Sequence, residues 1–498
     1  MSPLHEPPTD LRSPWERARE IHRLTRRDSD DRCMAYNFVA PERDQLYLLP
    51  PSLSDWLPED HLAWFVLDCV EEMDLAPFYA DYREDGWGGA AHHPKTMVAL
   101  LVYAYCLGVR SSRQIERACH VDVAFRVICA GLFPDHTTIA RFRQRHEDAL
   151  KSIFTASLRL CAKAGMTSVG IVALDGTKMA ANASMSANRT KQTIDDAVAE
   201  MFADAEATDE AEDAEFGDAR GDEPPAVLRG RADRRRRFKA AKELLDKELE
   251  EERAAHEAHL AERAAREQES GKKLRGRKPK APRDKAGAKE KKVNTTDPES
   301  KVMSTAKGFI QGYNAQAVAN EEQVIVGAEV TDEQNDLGQL HPMIDATEAS
   351  LADAGIEDRP EKLLADAGYC SEENLAALGD DDPDTYVATR NMKKNQTPRT
   401  GRRGPLKQDA TLVDQMDRKV SNKAGRALYR KRQHLIEPVF AQIKDGRHIR
   451  DFMRRGRAAA NSEWKLICGT HNLLKLYRRA LGDAAAAPYS RMATAPGC

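Results

Sequence analysis

Two short apolar runs that each end in an aspartate restrict the fold of this chain more than any other feature. Asp175 follows Val169–Leu174 and Asp366 follows Leu363–Ala365, and a glycine comes shortly after each aspartate. Short apolar runs closed by aspartate and glycine predict strands buried in a sheet and followed by turns. In open α/β sheets, ligands and catalytic groups gather beyond the carboxyl ends of strands. The two carboxylates are therefore candidates for a single site.

The segments around these runs predict a mixed α+β architecture. Apolar residues recur at helical spacing through residues 54–165, which is typical of a helix-turn-helix protein or of a helical packing or dimerisation domain. One helix of this block is predicted over residues 137–161. Further along, strands over 309–319 and 323–331 predict a hairpin, and helices then alternate with strands. That order favours a mixed sheet with helices on its faces. A long basic helix is predicted over residues 426–445.

The formal net charge of −4 over 498 residues hides strong local charge. Residues 195–224 hold thirteen acidic residues and one arginine, and residues 271–292 hold eleven basic and two acidic residues. Both runs lie in an insertion-like region, about 190–297, whose middle predicts a single polar helix and whose basic end predicts disorder. Residues 391–460 hold nineteen basic and six acidic residues. Basic runs of this kind can bind phosphate.

Several classes of protein are disfavoured by the composition. The longest nearly apolar stretch, 96–109, is shorter than the ~20 residues that cross a bilayer. The first ten residues lack the apolar core of a signal peptide. The nine cysteines are scattered and form no Cys-x-x-Cys pair, which argues against a disulfide framework and a thiolate zinc site. We therefore expect a cytoplasmic protein with reduced thiols and no membrane contact.

The chemistry of the two aspartates predicts a metal site. Neighbouring buried carboxylates repel each other unless a cation lies between them. Hard oxygen ligands select Mg²⁺ or Mn²⁺. Glu437, an acid within an otherwise basic helix, is the best third carboxylate and would complete a two-metal clamp. Taken singly, each aspartate is also explained as a turn residue, and Glu437 as a surface ion-pair partner.

Several motifs together resemble the DDE transposases of bacterial insertion sequences, and the 1182 group most closely. Ala173–Lys178 and Ala365–Tyr369 are similar to the first two acidic motifs of these enzymes. Gly312–Gln316 and the helical block from Pro50 to Phe142 also resemble this family. The resemblance covers about residues 40–180 and 298–478.

A third motif resembles the Tyr-Arg-Glu-Lys signature of several of these families. Its members here are Tyr429, Arg432, Glu437 and Lys444. Six residues separate Glu437 from Lys444, as in the signature, but four rather than three separate Arg432 from Glu437. The match is therefore firmer for Glu437 than for Tyr429 and Arg432.

The resemblance implies an RNase H-like catalytic domain that cleaves DNA strands and transfers them to a target. It implies that Asp175, Asp366 and Glu437 are the catalytic acids and bind two Mg²⁺ ions, for which Mn²⁺ can substitute. The implied partner is double-stranded DNA, both the terminal inverted repeats and the target. A homodimer on that DNA, associated with the bacterial nucleoid, is also implied.

The basic residues of the chain predict where DNA would be contacted. Lys444 would hold a phosphate near the scissile bond, Arg432 would contact the backbone, and Tyr429 would stack on the terminal nucleotide. End-specific recognition is assigned to base contacts from the helical block. The further arginines predicted to bind DNA are Arg447, Arg450, Arg454, Arg455, Arg141, Arg143 and Arg145.

The predicted organisation has six parts. They are a flexible tail (1–40), a helical DNA-binding domain (41–165), the first strand of the catalytic domain (166–190), the charged insertion (191–297), the remainder of the catalytic domain (298–480) and a flexible tail (481–498). Two other functions stay open: a catalytically inactive, transposase-derived DNA-binding regulator, and an RNase H-like nuclease without strand transfer. Cleavage with metal excludes the first alternative, and joined donor and target DNA excludes the second.

Overall fold

The computed structural model describes residues 38–39, 52–83, 85, 87–200, 226–270, 291–389 and 409–482. Most of the two predicted tails, most of the acidic run and nearly all of the basic run that ends the insertion lie outside these residues, but Phe38–Val39 of the first tail form a strand and Leu481 of the second ends a helix. Within the described part of the chain, no helix has both the length and the apolar composition that a membrane span needs.

The N-terminal block is helical, as predicted. Its described helices are α1 (Leu62–Glu71), α2 (Ala76–Tyr79), α3 (Pro94–Cys106), α4 (Ser112–Val121), α5 (Val123–Ile128), α6 (His136–Arg145) and α7 (Glu147–Lys163). A short parallel pair, β1 (Phe38–Val39) and β2 (Ala91–His92), accompanies them. The single helix predicted over 137–161 is wrong, because the chain breaks at His146. The buried ring of His146 packs against Phe78 and Phe142, and α7 starts afresh at Glu147.

The second half of the chain forms a mixed six-stranded sheet. Its strands are β3 (Ile171–Ala180), β6 (Lys301–Thr305), β7 (Gly308–Asn320), β8 (Ile325–Thr331), β9 (Lys362–Ala365) and β10 (Asp384–Val387). The strand order is β10-β9-β3-β7, and both β6 and β8 pair with β7. The strands β9 and β10 run parallel to β3, whereas β7 is antiparallel to β3, β6 and β8. The predicted hairpin and the α+β class are confirmed.

The strand β3 extends beyond its predicted end. It continues through Asp175 to Ala180, and Asp175 lies opposite Ala317 of β7. The backbone groups after Asp175 are satisfied by this long antiparallel ladder, so no turn forms there. The strand β9 does end at Ala365, as predicted, and Asp366 caps the short 3₁₀ turn that follows.

The C-terminal helices surround this sheet. They are α9 (Leu340–Asp353), α10 (Glu372–Ala376), α11 (Leu412–Ser421), α12 (Lys423–Tyr429), α13 (Lys431–Ala441) and α14 (Arg457–Leu481). The single basic helix predicted over 426–445 is wrong, since α12 ends before Arg430 and a π-helical turn (Gln442–Gly446) follows α13. Pro438 inside α13 has no backbone N–H, which removes one helical hydrogen bond there.

The insertion has a structured base. The strands β4 (Asn188–Thr190) and β5 (Lys292–Asn294) pair antiparallel where the insertion leaves and rejoins the domain. The predicted long polar helix is confirmed as α8 (Ala226–Ser270). A small apolar cluster joins this helix to the segments beside the two strands; its members are Ile194, Phe238, Ala241, Leu245 and Val293.

One hydrophobic core runs across the predicted boundary at residue 165. It extends from Leu62 in α1 to Tyr477 in α14. The helix α14 packs against α7 and α3 on one side and against β8 on the other. Trp464 of α14 is fully buried and its indole Nε1 donates to the carbonyl oxygen of Gln316. The helical block and the sheet are therefore packed as one body through α14.

Candidate active site

Asp175 on β3 and Asp366 directly after β9 lie close together, and one arginine joins their side chains. The register pairs Ala173 of β3 with Leu364 of β9, which brings the two aspartates to the same end of the sheet. The guanidinium Nη2 of Arg432, from α13, lies 2.9 Å from Oδ2 of Asp175 and 3.8 Å from Oδ2 of Asp366. The structure thus places a protein cation between the two carboxylates.

Burial controls the charge of Asp175. It raises the pKa of this carboxyl from 3.8 to about 6, whereas Arg432 lowers the pKa and the carboxylates of Asp366 and Asp336 raise it. The backbone N–H of Gly176 donates to Asp175 Oδ1 and also favours the ionised form. The net effect shows that Arg432 alone does not compensate for the burial of this charge.

A third aspartate, Asp336, lies in the same site and was missed by the sequence analysis. Its Oδ1 accepts hydrogen bonds from Asn314 Nδ2 at 2.6 Å and from Gln316 Nε2 at 2.8 Å. Lys178 Nζ lies 3.6 Å from the same oxygen. Asp336 stands in the loop after β8 and not directly at a strand end, so the pattern that located the other two aspartates gave no signal for it.

The glycines that follow Asp175 and Asp366 are explained by Asp336. A Cβ atom at Gly176 would lie closest to Gln316 Nε2, and 2.6 Å from Asp336 Oδ1. At Gly368 it would lie 3.0 Å from Asp366 Oδ1 and 3.4 Å from Asp336 Oδ2. A side chain at Gly176 would displace Asp336, and one at Gly368 would crowd both carboxylates. Both glycines make room for the side chains around the acids, and Gly368 also lies in the turn predicted after Asp366, whereas Gly176 lies inside β3 and not in a turn.

Glu437 stands apart from this group in the structure. Its side chain is exposed and Oε2 accepts a hydrogen bond from Gln433 Nε2 at 3.2 Å. Glu437 lies five positions after Arg432 in the chain, so the two do not share the i, i+4 face of α13. Among the residues that the structure describes, no three His, Cys, Asp or Glu side chains are close enough to hold a metal ion together.

Two lysines lie near the aspartates, one on β3 itself and one on a neighbouring turn. Lys444, from the π-helical turn, donates from Nζ to the carbonyl oxygen of Lys178 at 2.8 Å. Burial and, to a smaller extent, Arg450 lower the pKa of Lys444 to about 8, against the opposing effect of Asp445. Burial also lowers the pKa of Lys178, against the opposing effect of the nearby carboxylates, Asp336 first.

Two tyrosines complete the surroundings of the acids. Tyr429, at the end of α12, is half-buried, and burial raises its pKa to about 12 while Arg432 opposes the rise. Tyr369 is fully buried, and its hydroxyl donates to Gln316 Oε1. The amide of Gln316 therefore links Tyr369 to Asp336 in one hydrogen-bonded chain.

Two of the predicted DNA contacts are contradicted by the structure. Arg447 is buried, and its guanidinium donates to Thr470 Oγ1 at 2.8 Å and to the carbonyl oxygens of Tyr105 and Ile467. Arg143 is buried as well and donates to the carbonyl oxygen of Arg110 at 2.8 Å. Both guanidinium groups make hydrogen bonds in the interior, between different helices and loops. Neither is therefore available to a phosphate.

The other predicted arginines reach the surface to different degrees. Arg141 is exposed, and Arg145 is exposed with its guanidinium over the ring of Tyr82. Arg450 is exposed and pairs with Asp445 at 2.6 Å, and Arg455 is exposed and donates to the carbonyl oxygen of Asn182. The side chain of Arg454 is only 17% exposed because it pairs with Glu147.

Comparisons with protein-family models find two matches in this chain. A model described as a transposase domain (DUF772) matches residues 51–145. A model described as a transposase DDE domain matches residues 272–473, which include Asp336, Asp366 and Glu437. Neither match distinguishes the 1182 group. No curated protein and no solved structure matches the chain.

Proposed function

This chain belongs to the DDE transposases of insertion sequences, and on that premise we propose that Asp175, Asp366 and Glu437 are its catalytic acids. The observation that carries the proposal is the pair formed by Asp175 and Asp366. Their carboxylates end up side by side from strands far apart in sequence, and a cation joins them. The sheet around them supports an RNase H-like catalytic unit, in which Asp175 and Asp366 come from adjacent parallel strands.

The carboxylates of Asp175 and Asp366 suit a divalent metal, whose use is typical of DDE domains. Carboxylate oxygens are the ligands of Mg²⁺ and Mn²⁺. Arg432 lies between the two carboxylates, which supports the view that they stabilise a cation. We propose that Asp175, Asp366 and Glu437 hold two Mg²⁺ ions or Mn²⁺ in their place. When bound, such ions supply Lewis-acid activation for an in-line displacement at phosphorus.

The side chains around the acids then bind and orient the DNA. Arg432 would exchange its carboxylate partners for a backbone phosphate, since a divalent cation competes for the same oxygens. Tyr429 presents a ring beside Arg432 on which the terminal base would stack. Arg450, Arg455 and the exposed Arg141 and Arg145 would supply further phosphate contacts, whose strength falls with salt.

The partners and the cellular setting follow from the family. Transposases act on DNA, and we propose that this one binds the terminal inverted repeats and the target as double-stranded DNA. We propose further that it acts as a homodimer on that DNA in the bacterial cytoplasm, because two ends must be joined in one reaction. Strand-transfer products separate this function from that of a nuclease, and metal-dependent cleavage separates it from that of an inactive regulator.

Glu437→Gln is expected to lower the rate of end cleavage by on the order of 10³-fold, because a lost metal ligand removes several kcal/mol of transition-state stabilisation. The measurement uses the full chain, Mg²⁺ and DNA that carries the inverted repeat flanking the gene. Affinity for this DNA without divalent metal should change by less than about twofold. Glu373→Gln, at an exposed position of α10, is the matched control. If Glu437→Gln cleaved DNA ends at the wild-type rate and Asp336→Asn did not cleave them, the third catalytic acid would be Asp336 and not Glu437.

The lowered pKa of Lys444 predicts a pH-dependent affinity for DNA. Its ammonium is charged below its pKa of about 8 and loses the charge above it. Binding that uses this ammonium should weaken by about threefold to tenfold between pH 7 and pH 9. Fluorescence anisotropy at constant ionic strength measures the change. Lys444→Arg keeps its charge over this range, so a pH profile as steep as that of the wild type would contradict the assignment.

A further inference from the structure

Lys178 carries a buried charge whose hydrogen bonds are unmet. Its Nζ is inaccessible to solvent and has no hydrogen-bond partner among the residues described by the structure. The nearest carboxylate oxygen, Asp336 Oδ1, lies 3.6 Å away, which is an ion pair but too long for a hydrogen bond. An ammonium has three N–H donors and no acceptor. Buried donors are almost always paired, because the desolvation of an unpaired one is not recovered.

The acceptor that Lys178 needs is not supplied by Asp336. The same Oδ1 atom already accepts from the amides of Asn314 and Gln316 at 2.6 and 2.8 Å. These two amide groups come from β7 and are themselves fully buried, which fixes the carboxylate in place. Asp336 therefore holds Lys178 electrostatically and leaves its N–H groups free to face another acceptor.

The position of Lys178 identifies the class of that acceptor. Lys178 is three residues beyond Asp175 on β3, and the charges of Asp336, Asp366 and Asp175 all act on its ammonium. An anionic group that approaches the catalytic acids, such as a phosphodiester of the DNA strand, would come within its reach. Lysine binds phosphate as a compact point charge that adapts to the position of the oxygen.

We propose that Lys178 is a substrate-binding residue of the reaction, which donates to a non-bridging oxygen of a phosphodiester at or beside the cleaved bond. Asp336 is the positioning residue that keeps the ammonium beside the acids until DNA enters. This inference rests on the proposed function, because the phosphate must come to Asp175 and Asp366. The backbone of the same residue holds Lys444 through its carbonyl oxygen, so a side-chain substitution at Lys178 leaves that contact intact.

The first test compares Lys178→Gln with a matched control, Lys301→Gln. Lys301 is also partly buried and pairs with a carboxylate, Glu248, but it lies on the edge strand β6. Affinity for end DNA is measured by fluorescence anisotropy without divalent metal, over a series of salt concentrations. Lys178→Gln should weaken binding by about fivefold to tenfold and reduce the slope of log affinity against log salt by about 0.9. Lys301→Gln should match the wild type.

The second test locates the phosphate. Methylphosphonate replaces single phosphates on either side of the cleaved bond, which removes the charge at one position at a time. At one position, methylphosphonate should weaken DNA binding by the wild type. It should not further weaken binding by Lys178→Gln, because the two changes remove the same contact. Should Lys178→Gln unfold, as judged by circular dichroism, Lys178→Met tests the same contact, and Lys178→Arg should recover part of the salt slope.

The outcomes separate this inference from the proposed function. An unchanged salt slope in Lys178→Gln, with additive losses at every methylphosphonate position, overturns the role of Lys178 even if the wild type cleaves DNA. Absence of cleavage and strand transfer by the wild type with Mg²⁺ or Mn²⁺ overturns the proposed function instead. A phosphate position at which the effects of methylphosphonate and of Lys178→Gln are not additive supports the phosphate contact.

Discussion

Asp175→Asn is expected to lower the rate of strand cleavage by on the order of 10³-fold while leaving a folded protein. The amide keeps the shape of the carboxyl group but loses the negative charge that a metal ligand needs. Loss of such a ligand removes several kcal/mol of transition-state stabilisation, and every 1.4 kcal/mol corresponds to about tenfold in rate. A single-turnover cleavage assay with Mg²⁺ measures the effect.

The same substitution should stabilise the metal-free protein at neutral pH. Burial raises the pKa of Asp175 from 3.8 to about 6, even with Arg432 beside it. A raised carboxyl pKa means that the ionised form is disfavoured in the folded state, so stability falls as pH rises from about 4 to about 6. Above that range the unfavourable contribution is complete, and Asp175→Asn should raise the free energy of unfolding by up to about 3 kcal/mol.

Urea denaturation at pH 4 and at pH 7.5, without divalent metal, tests the stability of Asp175→Asn. The gain in the free energy of unfolding should be present at pH 7.5 and small at pH 4, where the wild-type carboxyl is largely protonated. Asp345→Asn, an exposed position of α9, is the control and should change neither cleavage nor stability. A variant that is inactive and also less stable at pH 7.5 would contradict the view that Asp175 is a functional group kept at the expense of stability.

Charge balance around the acids explains why Arg432 and Lys178 lie so deep. Three carboxylates, those of Asp175, Asp366 and Asp336, face these two internal cations. Without the cations, the carboxylates would repel each other strongly in a poorly solvated site. Both cations are basic groups that DNA phosphates would attract. On the proposed function, a phosphate that approached the acids would be attracted by the same two cations.

Part of this site could be predicted because its signals are local. Asp175 and Asp366 each follow a short apolar run, and the parallel pairing of β3 with β9 brings the ends of those runs together. The fold class followed from the order of helical and strand patterns. The place where β3 ends could not be read locally, since it depends on the length of its partner β7, more than a hundred residues away.

The remaining features depend on contacts between distant segments. Asp336 enters the site from a loop, held by amides of β7, and no nearby pattern marks it. Arg143 and Arg447 look like surface arginines in sequence, but both are enclosed where the helical block meets α14. Basic residues of this kind cannot be assigned to solvent or to the interior before the packing is known.

Glu463→Leu is expected to lower the free energy of unfolding by about 3–5 kcal/mol, because it breaks a buried charge network between the two halves of the molecule. Glu463, on α14, is 3% exposed. Its carboxylate accepts from Arg110 Nη1 at 3.3 Å and from the Tyr105 hydroxyl at 3.2 Å, both from the helical block. It also accepts from the backbone N–H of Met453 at 2.8 Å. Removal of the carboxylate takes this acceptor from the Tyr105 hydroxyl and the Met453 N–H, and it leaves the Arg110 guanidinium with only its contacts to Asp451 among the described residues.

Because α14 packs on both the helical block and the sheet, the loss of stability should appear in both halves at once. Hydrogen exchange read by mass spectrometry can follow α3 and β7 separately in the same sample. Both should lose protection together in Glu463→Leu, and Glu463→Gln, which keeps the shape and part of the hydrogen bonding, should lose less. Glu357→Leu, at an exposed loop position, should stay within about 0.5 kcal/mol of the wild type. Opening of α3 with full protection of β7 would show instead that the helical block and the catalytic sheet unfold as independent domains.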